Sequence, residues 1–415
     1  MRHIWCTLVA SALMSTMFGS ARAAAPLQIT IGDLYASTGT YAAVSTSLHE
    51  GLLLWAKEAN AAGGVYVGAY KSRIPVKLIS YDDQSNTATV ASLTDHLITQ
   101  DKVDVLVADF GSVLASVSVP IAREHKMLLI NPSGTGAPLF NKDNPYVALV
   151  SQPASSVAMR YVAGFIAEEA KQGRLHNIAI LYDTNDFSGA QAAVLKTMLA
   201  QSGASLKIVY DKGVPTSTSD YTVLINAMQA TNPDFVFELG YPANDIAFLR
   251  GMQNIGAQFR GVFTNYSGWE PDLIAKSVGV DADKGTFTFM PGLFLDYKPT
   301  AGMTAAAFHA AWLQAFPDGK VAYGLNSAVG YTSGVIIGEM LAQAPDLSQL
   351  GLRKGLDALS GKLVTLQGPF SLAPDGEQLG EINAVGQVWP DGKGGVELRA
   401  VYPKDVATDK PVLGK

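Results

Sequence analysis

Two short loops combine hydroxyl groups, glycines and free backbone N–H groups in a pattern that could bind an anion. Residues 109–112 (DFGS) follow one apolar run, and residues 131–136 (NPSGTG) follow another. If both runs are parallel strands, their carboxyl ends open into one crevice that is lined by loops and helix N-termini. Hydroxyl and amide donors there would suit a carboxylate or another ligand oxygen. The same serines and threonines could instead be turn formers and helix caps, and residue types alone leave that alternative open.

The sequence lacks the patterns of catalytic, metal and nucleotide sites. Five histidines follow residue 23 without an H-x-x-x-H pair, and neither G-x-x-x-x-G-K-[ST] nor G-x-G-x-x-G occurs. The string GYTSG at residues 330–334 has the wrong register for a serine nucleophile. Asp82 and Asp83 could be an acid/base pair or metal ligands, but a turn ahead of a helix cap is the favoured interpretation. We therefore expect no cofactor, no metal and no enzymatic activity.

Apolar runs rich in β-branched residues alternate with segments of helical period, which predicts an α/β fold built from parallel sheets. The predicted strands are residues 28–34, 76–82, 103–108, 127–131, 178–182, 206–210, 235–239 and 261–264. The predicted helices are residues 42–61, 87–100, 113–124, 155–171, 188–201, 221–230, 243–255, 304–315 and 327–343. Two doubly wound units in series are the simplest architecture, followed by a tail of short strands over residues 363–401.

Composition and the N-terminus restrict the class of protein. The chain has 415 residues, enough for two domains, and 48% hydrophobic residues disfavour disorder. With 30 Lys and Arg against 36 Asp and Glu, no basic footprint for nucleic acid is present. Residues 1–23 read as a secretory signal peptide cleaved after Ala23, which would remove the single cysteine, Cys6. The alternative, a membrane anchor, would need a longer apolar core.

Several short strings occur in the order typical of one known family and cover almost the whole chain after residue 26. They are residues 37–39 (STG), 58–65 (EANAAGGV), 80–85 (SYDDQS), 131–135 (NPSGT), 180–183 (ILYD), 240–241 (GY) and 368–372 (GPFSL). On these strings the chain resembles the substrate-binding proteins of ABC importers of the branched-chain amino acid (Leu/Ile/Val-binding) type.

The resemblance implies a type I periplasmic binding fold with two lobes and three crossings of the chain between them. We expect lobe 1 to comprise residues 26–152 and 292–367, and lobe 2 residues 153–291 and 368–415. The family would bind a small ligand by hinge closure in the cleft and deliver it to a membrane permease, with the ATPase on a third chain. A monomer in the periplasm is expected. The alternatives are a ligand-sensing module for a membrane signalling partner and, third, an exported hydrolase.

The resemblance also assigns ligand-binding positions. Ser112, Ser133 and Thr135 match the donors to the ligand carboxylate, and the neighbouring Asp109 is a further candidate. Phe187 and Tyr241 match aromatic positions of lobe 2.

Two positions depart from the family pattern. The acid that pairs with a ligand α-ammonium falls at Tyr266, and the aromatic wall of lobe 1 falls at Val44, with Tyr41 close by. A phenol is a poor partner for a buried ammonium. One hypothesis is therefore a ligand with a carboxylate or similar oxygen head, an apolar or aromatic body and no α-ammonium, with Trp269 as a further contact.

One alternative to this ligand class stays open. Glu238 or Asp245, which lie close to Tyr241 in the sequence, could supply the missing carboxylate. The ligand would then be an ordinary amino acid.

Overall fold

A computed structural model describes residues 24–414, so the predicted signal peptide and its cleavage site lie outside the described residues. Residues 24–149 form one sheet with helices and a small hairpin. The elements in chain order are β1 (Ile29–Tyr35), α1 (Ala42–Ala61), β2 (Val65–Val67), β3 (Ser72–Ile74), β4 (Val76–Asp82), α2 (Thr87–Thr99), β5 (Val105–Val107), α3 (Gly111–Glu124), β6 (Leu129–Asn131) and β7 (Val147–Leu149). The five sheet strands are all parallel in the order β4-β1-β5-β6-β7, and β2 pairs with β3 in the hairpin.

The next part of the chain builds a second sheet. Its elements are α4 (Ser155–Lys171), β8 (Asn177–Asp183), α5 (Ser188–Gln201), β9 (Lys207–Val214), α6 (Thr222–Gln229), β10 (Phe235–Leu239), α7 (Pro242–Ile255), β11 (Gly261–Thr264), α8 (Tyr266–Trp269), α9 (Pro271–Val278), α10 (Val280–Asp283) and β12 (Phe287–Met290). Strands β8 to β12 pair in parallel. Strands β10, β11 and β12 are fully buried, which is typical of a sheet covered by helices on both faces.

The last third of the chain contributes to both sheets. Its elements are α11 (Ala305–Ala315), α12 (Leu325–Gln343), α13 (Gln349–Leu359), β13 (Val364–Thr365), β14 (Gly368–Pro369), β15 (Ala384–Pro390) and β16 (Val396–Tyr402). Helix α12 packs along α1, whereas β15 and β16 extend the second sheet antiparallel, giving the order β16-β15-β12-β11-β10-β8-β9. We call the five-stranded sheet with its helices the first half, and the seven-stranded sheet with its helices the second half.

The final passage of the chain between the halves comes late. Phe370 still packs in the core of the first half, and the Gly376 and Gln378 carbonyls accept hydrogen bonds from Leu149 and Ala154. The chain joins the second sheet only at Ala384. The chain therefore crosses between the halves after Gln378, later than the predicted position near residue 368. The division into two lobes stays a prediction.

The predicted α/β class with parallel sheets is confirmed. Three long helices, Ala42–Ala61, Ser155–Lys171 and Ser188–Gln201, begin and end where the sequence pattern places them. The pattern missed several short elements, among them β7 and β12, because three or four buried residues show no periodicity. No helix among residues 24–414 is long and apolar enough to span a membrane.

Helices α1 and α12 approach so closely that glycine is required at their contact. A Cβ atom on Gly330 would overlap the Leu48 carbonyl of α1 and lie 3.0 Å from the Leu52 nitrogen. By contrast, a Cβ on Gly338, two turns later on α12, would be 3.4 Å from the nearest Trp55 carbon, an ordinary contact. The interface therefore excludes a side chain at Gly330 and leaves room for a methyl group at Gly338.

We expect Gly330→Ala to lower the free energy of unfolding by at least about 2 kcal/mol, because backbone atoms cannot move aside cheaply. Gly338→Ala is the matched control, and it should be neutral or stabilise by up to about 1 kcal/mol through helix propensity. Urea denaturation followed by circular dichroism measures both. Equal stability of the two variants would contradict this packing account.

Candidate functional site

The predicted anion-binding loops lie side by side at the carboxyl ends of β5 and β6. The Gly111 N–H donates to Ser133 Oγ at 3.0 Å, and the Gly136 N–H donates to Ser112 Oγ at 3.0 Å. Thr135 Oγ1 accepts from Ser155 Oγ at 3.1 Å. Gly111 has φ +80°, a conformation that side chains rarely adopt, and it begins α3. The two loops are thus bound to each other directly beside a helix N-terminus.

The three predicted donor hydroxyls are buried and keep their protons uncommitted. Ser112, Ser133 and Thr135 are each less than 5% exposed, and each accepts a hydrogen bond from the protein. Within the described part of the chain, none of the three donates one. A buried hydroxyl gains free energy when its proton finds an acceptor. These hydroxyls are therefore suited to donate to ligand oxygen atoms.

An aromatic cluster connects the two halves at this point. The Tyr241 ring of the second half lies 5.0 Å from the Tyr41 ring and 6.0 Å from the Phe110 ring of the first half. On its own side it contacts Phe187 at 5.2 Å and Tyr266 at 6.4 Å, as distances between ring centroids. All five rings are buried. The predicted aromatic residues of both halves therefore meet in one cluster.

The Tyr241 hydroxyl points to the N-terminus of α3. It lies 3.3 Å from the position that a Cβ atom on Gly111 would occupy, and among residues 24–414 it donates no hydrogen bond, while the Val113 N–H of α3 is close enough to act on it. Burial raises the pKa of this phenol well above its ordinary value, and the phenol of Tyr41 raises it further. The hydroxyl therefore keeps its proton and is a fourth donor next to the three buried hydroxyls.

The remaining predicted contacts lie around this cluster. Trp269 packs against Phe187 with 5.9 Å between ring centroids, and it stacks on Phe289 at 4.9 Å. Val44 is buried in the first turn of α1, in the same hydrophobic cluster as Tyr41. The position predicted for an aromatic wall thus carries an aliphatic residue, while Phe110, which the sequence analysis gave no role, supplies a ring.

A pair of buried carboxyl groups, Asp83 and Asp109, lies at the loop of residues 109–112. Asp109 accepts hydrogen bonds from Ser45 Oγ and from the Phe110 N–H, and Asp83 accepts from the Ser85 N–H. Burial raises the pKa of Asp83 to about 6 and that of Asp109 well above its usual range, where the charge of Asp83 raises it further. A single proton shared between the two carboxyl groups accounts for the raised pKa values of both. Asp109 therefore positions the loop, and Asp83 has a carboxyl partner in addition to the predicted turn.

A second carboxyl pair lies inside the second half. Burial raises the pKa of Glu238 well above its usual range, and the charge of Asp245 adds to the effect. Burial likewise raises the pKa of Asp245 to about 7, although it accepts a hydrogen bond from the Tyr266 N–H at 2.6 Å. The nearby Tyr221 hydroxyl opposes the rise in the pKa of Glu238. Both oxygen atoms of Glu238 and Oδ1 of Asp245 are buried without a hydrogen-bond partner among the described residues, and the two carboxyl groups share a proton with each other inside this half.

Asp183 is a buried acid next to the aromatic cluster that the sequence analysis did not single out as a site residue. It ends β8, and burial raises its pKa to about 8, with the charge of Glu238 as the next cause. Burial is the largest cause of the raised pKa values of Tyr41 and Tyr241, and the charge of Asp183 raises both further. Its position at the end of a predicted strand is the feature of the sequence that could have identified it as a site residue. Among the described residues, no group of three or more His, Cys, Asp and Glu could hold a metal ion.

A family model described as a periplasmic binding protein matches residues 28–392. The "Leu/Ile/Val-binding protein homolog 7" of Brucella suis is 22% identical, and the alignment covers 96% of this chain and 97% of that protein. The leucine-binding protein LivK of Thermotoga maritima has a similar structure, with a TM-score of 0.73 and 18% identity over 91% of this chain and 99% of that one. A solute-binding protein from R. palustris in complex with benzoate gives a TM-score of 0.72 and 17% identity over 90% and 96% of the two chains.

Proposed function

This chain belongs to the periplasmic binding protein family, and on that premise we propose that it is the substrate-binding component of an ABC importer. The resemblance to the Leu/Ile/Val-binding proteins that the sequence predicted is confirmed. In this proposal the protein is exported, acts as a monomer and has no catalytic activity. It passes its ligand to a permease whose ATPase is a separate subunit.

The ligand that the site favours carries a carboxylate and an apolar or aromatic body. The observation that supports this proposal most is the set of donors at the N-terminus of α3. Ser112, Ser133, Thr135 and Tyr241 are buried, and no hydroxyl proton of theirs is donated within the described residues. The helix N-terminus adds backbone N–H groups and a favourable potential for a negative charge. A carboxylate can use all of these groups without a basic residue.

The body of the ligand would lie against the aromatic cluster. Tyr41 and Phe110 from the first half and Phe187 and Tyr241 from the second half pack against one another in this structure. A ligand would enter between them while the halves move apart and would be enclosed when they close. Tyr266 stands where the resemblance places an acid. Burial raises the pKa of Asp245 to about 7, that of Asp183 to about 8 and that of Glu238 well above its usual range, so that these acids keep their protons. We therefore favour a ligand without an ammonium group.

Thermal denaturation of the protein lacking residues 1–23 tests this ligand class with matched pairs of compounds. We expect benzoate, 3-phenylpropanoate or 4-methylpentanoate to raise the melting temperature by several degrees at saturating concentration. L-phenylalanine and L-leucine differ from the last two acids by the ammonium group, and they should have little effect. Acetamide and urea, which lack the carboxylate, should have none.

The variant Ser112→Ala serves as the control for the carboxylate subsite. It should weaken the binding of the stabilising acid about tenfold or more, because a hydrogen bond to a charged group is lost. The unliganded melting temperature should also fall, because the buried Gly136 N–H loses its acceptor, so affinity is measured well below the unfolding transition. Stabilisation by L-leucine with none from the acids would overturn the ammonium-free ligand class. Consumption of an ester or amide by the purified protein would instead support a hydrolase.

A further inference from the structure

A buried acid of the second half caps a helix of the first half. Glu270 lies between α8 and α9, and Asn326 is the second residue of α12. Glu270 Oε1 accepts a hydrogen bond from the Asn326 backbone N–H at 3.0 Å and another from its side-chain Nδ2 at 2.7 Å. The first N–H groups of a helix have no partner within the helix. The carboxylate therefore satisfies one of these donors from the opposite half of the protein.

This contact is fully buried, which makes it dependent on the closed arrangement. Glu270 and Asn326 are 1% and 0% exposed. Hydrogen bonds from a helix N-terminus to a carboxylate are among the stronger polar contacts in proteins. If the halves separated, water would have to replace the bonds on both sides. Burial raises the pKa of Glu270 to about 7, and Oε1 accepts both hydrogen bonds whether or not the acid carries its proton. The two bonds thus exist only while the halves are together and favour the closed form over an open one.

The backbone of α12 leaves room for the carboxylate. A Cβ atom on Gly324, the residue before α12, would overlap the Glu270 carboxylate and lie 2.8 Å from the Trp269 carbonyl oxygen. The Gly324 N–H has its own acceptor, Ser327 Oγ, at 3.1 Å. Glycine at this position is therefore what permits Glu270 to reach the helix end.

The contact also adjoins the candidate ligand site. Trp269, the neighbour of Glu270, packs on Phe187 of the aromatic cluster, and Leu325 beside Asn326 belongs to the same buried hydrophobic cluster as Tyr41 and Tyr241. A contact at this place closes the cleft next to the ligand without occupying the carboxylate subsite. It is thus placed to control how long the ligand stays enclosed.

We propose that Glu270 is a positioning residue for ligand capture, whose carboxylate caps α12 across the cleft and holds the two halves closed. The role in capture rests on the proposed function, whereas the contact between the halves does not. Removing the carboxylate would shift the protein toward open forms. It would increase the rate at which ligand leaves rather than change which ligand is chosen.

Hydrogen exchange of the unliganded protein lacking residues 1–23, measured by mass spectrometry, tests the contact directly. In Glu270→Ala, we expect exchange in peptides containing the Asn326 amide to accelerate about tenfold or more, and small-angle scattering to give a larger radius of gyration. Glu270→Gln keeps an acceptor oxygen and should stay close to the unmodified protein. Gly324→Ala should act like Glu270→Ala, because it forces the carboxylate away from the helix.

The exposed acid Asp281 of α10, in the same half, provides the control, and Asp281→Asn should change neither measurement. Unchanged exchange at Asn326 in Glu270→Ala would overturn the proposal. Faster exchange spread evenly over both sheets would also overturn it, since it would indicate a general loss of stability. Titration of the same samples with benzoate and L-leucine tests the proposed ligand class separately from the role of Glu270. Failure of benzoate to bind would reject the ligand class, and it would leave the exchange result for Glu270 unaffected.

Discussion

Raising the pH from about 5 to about 8.5 is expected to lower the free energy of unfolding by at least about 3 kcal/mol. The reason is a set of buried carboxyl groups around the site. Burial raises the pKa of Asp183 to about 8, those of Asp245 and Glu270 to about 7, and those of Asp83 and Asp283 to about 6. Each unit of difference between the folded and unfolded pKa corresponds to about 1.4 kcal/mol.

The sign follows from the direction of these shifts. A carboxyl whose pKa is raised in the folded protein binds its proton more tightly there than in the unfolded chain. Its contribution is present in full below the unfolded pKa of about 4, and it is lost as the pH rises through the folded values between 6 and 8. Urea denaturation at pH 5, 7 and 8.5 measures the effect.

The variant Asp183→Asn identifies one source of this dependence, because it removes the group with the highest pKa among the five. We expect it to flatten the upper part of the pH profile. Asp281 is exposed at the surface of the second half, and Asp281→Asn should leave the profile unchanged. An unfolding midpoint that stays constant or rises between pH 5 and 8.5 would show that these acids are not buried with their protons.

Tyr241→Ala is expected to reduce ligand affinity about a hundredfold or more. The Tyr241 ring is the only one in the cluster, among the described residues, that contacts Tyr41, Phe110, Phe187 and Tyr266 together. Truncation of a buried aromatic ring costs about 3–5 kcal/mol, and here much of that cost falls on the closed form because the ring joins the two halves. Isothermal titration calorimetry with the acid found by thermal denaturation measures the loss.

Tyr241→Phe separates the ring from the hydroxyl at the N-terminus of α3. It should keep the contacts between the halves but lose one donor, with an affinity reduced about tenfold. Phe165→Leu is a control for core packing, since Phe165 is buried in α4 on the far side of Phe235 and Phe287, away from these rings. Loss of affinity in this control but not in Tyr241→Ala would remove Tyr241 from the site.

Much of the fold was readable from the sequence because its long elements are strongly periodic. Helices α1, α4 and α5 and strand β4 have the predicted limits. The short strands β7 and β12 carry no period, and only their pairing partners in the sheets identify them. The late crossing after Gln378 depends on backbone hydrogen bonds between distant residues, which no local pattern encodes.

The candidate site was readable only in part, for a related reason. The hydroxyls of Ser112, Ser133 and Thr135 follow predicted strands, so their proximity could be expected. The pairing of Asp83 with Asp109 joins the ends of two strands, and the contact of Glu270 with Asn326 joins the two halves. Such pairs form only when separate elements pack together, and in the sequence each member looks like an ordinary surface acid or amide.

Calorimetric titration of the protein lacking residues 1–23 with 3-phenylpropanoate, compared with its methyl ester and with L-phenylalanine, tests the central claim most directly. The three compounds share one body and differ in the carboxylate or the ammonium group. A carboxylate held by buried hydroxyls and the N-terminus of α3 predicts saturable binding of the acid with one site per chain, and binding of the ester that is at least about a hundredfold weaker. Equal binding of acid and ester, or binding of L-phenylalanine alone, would contradict the account.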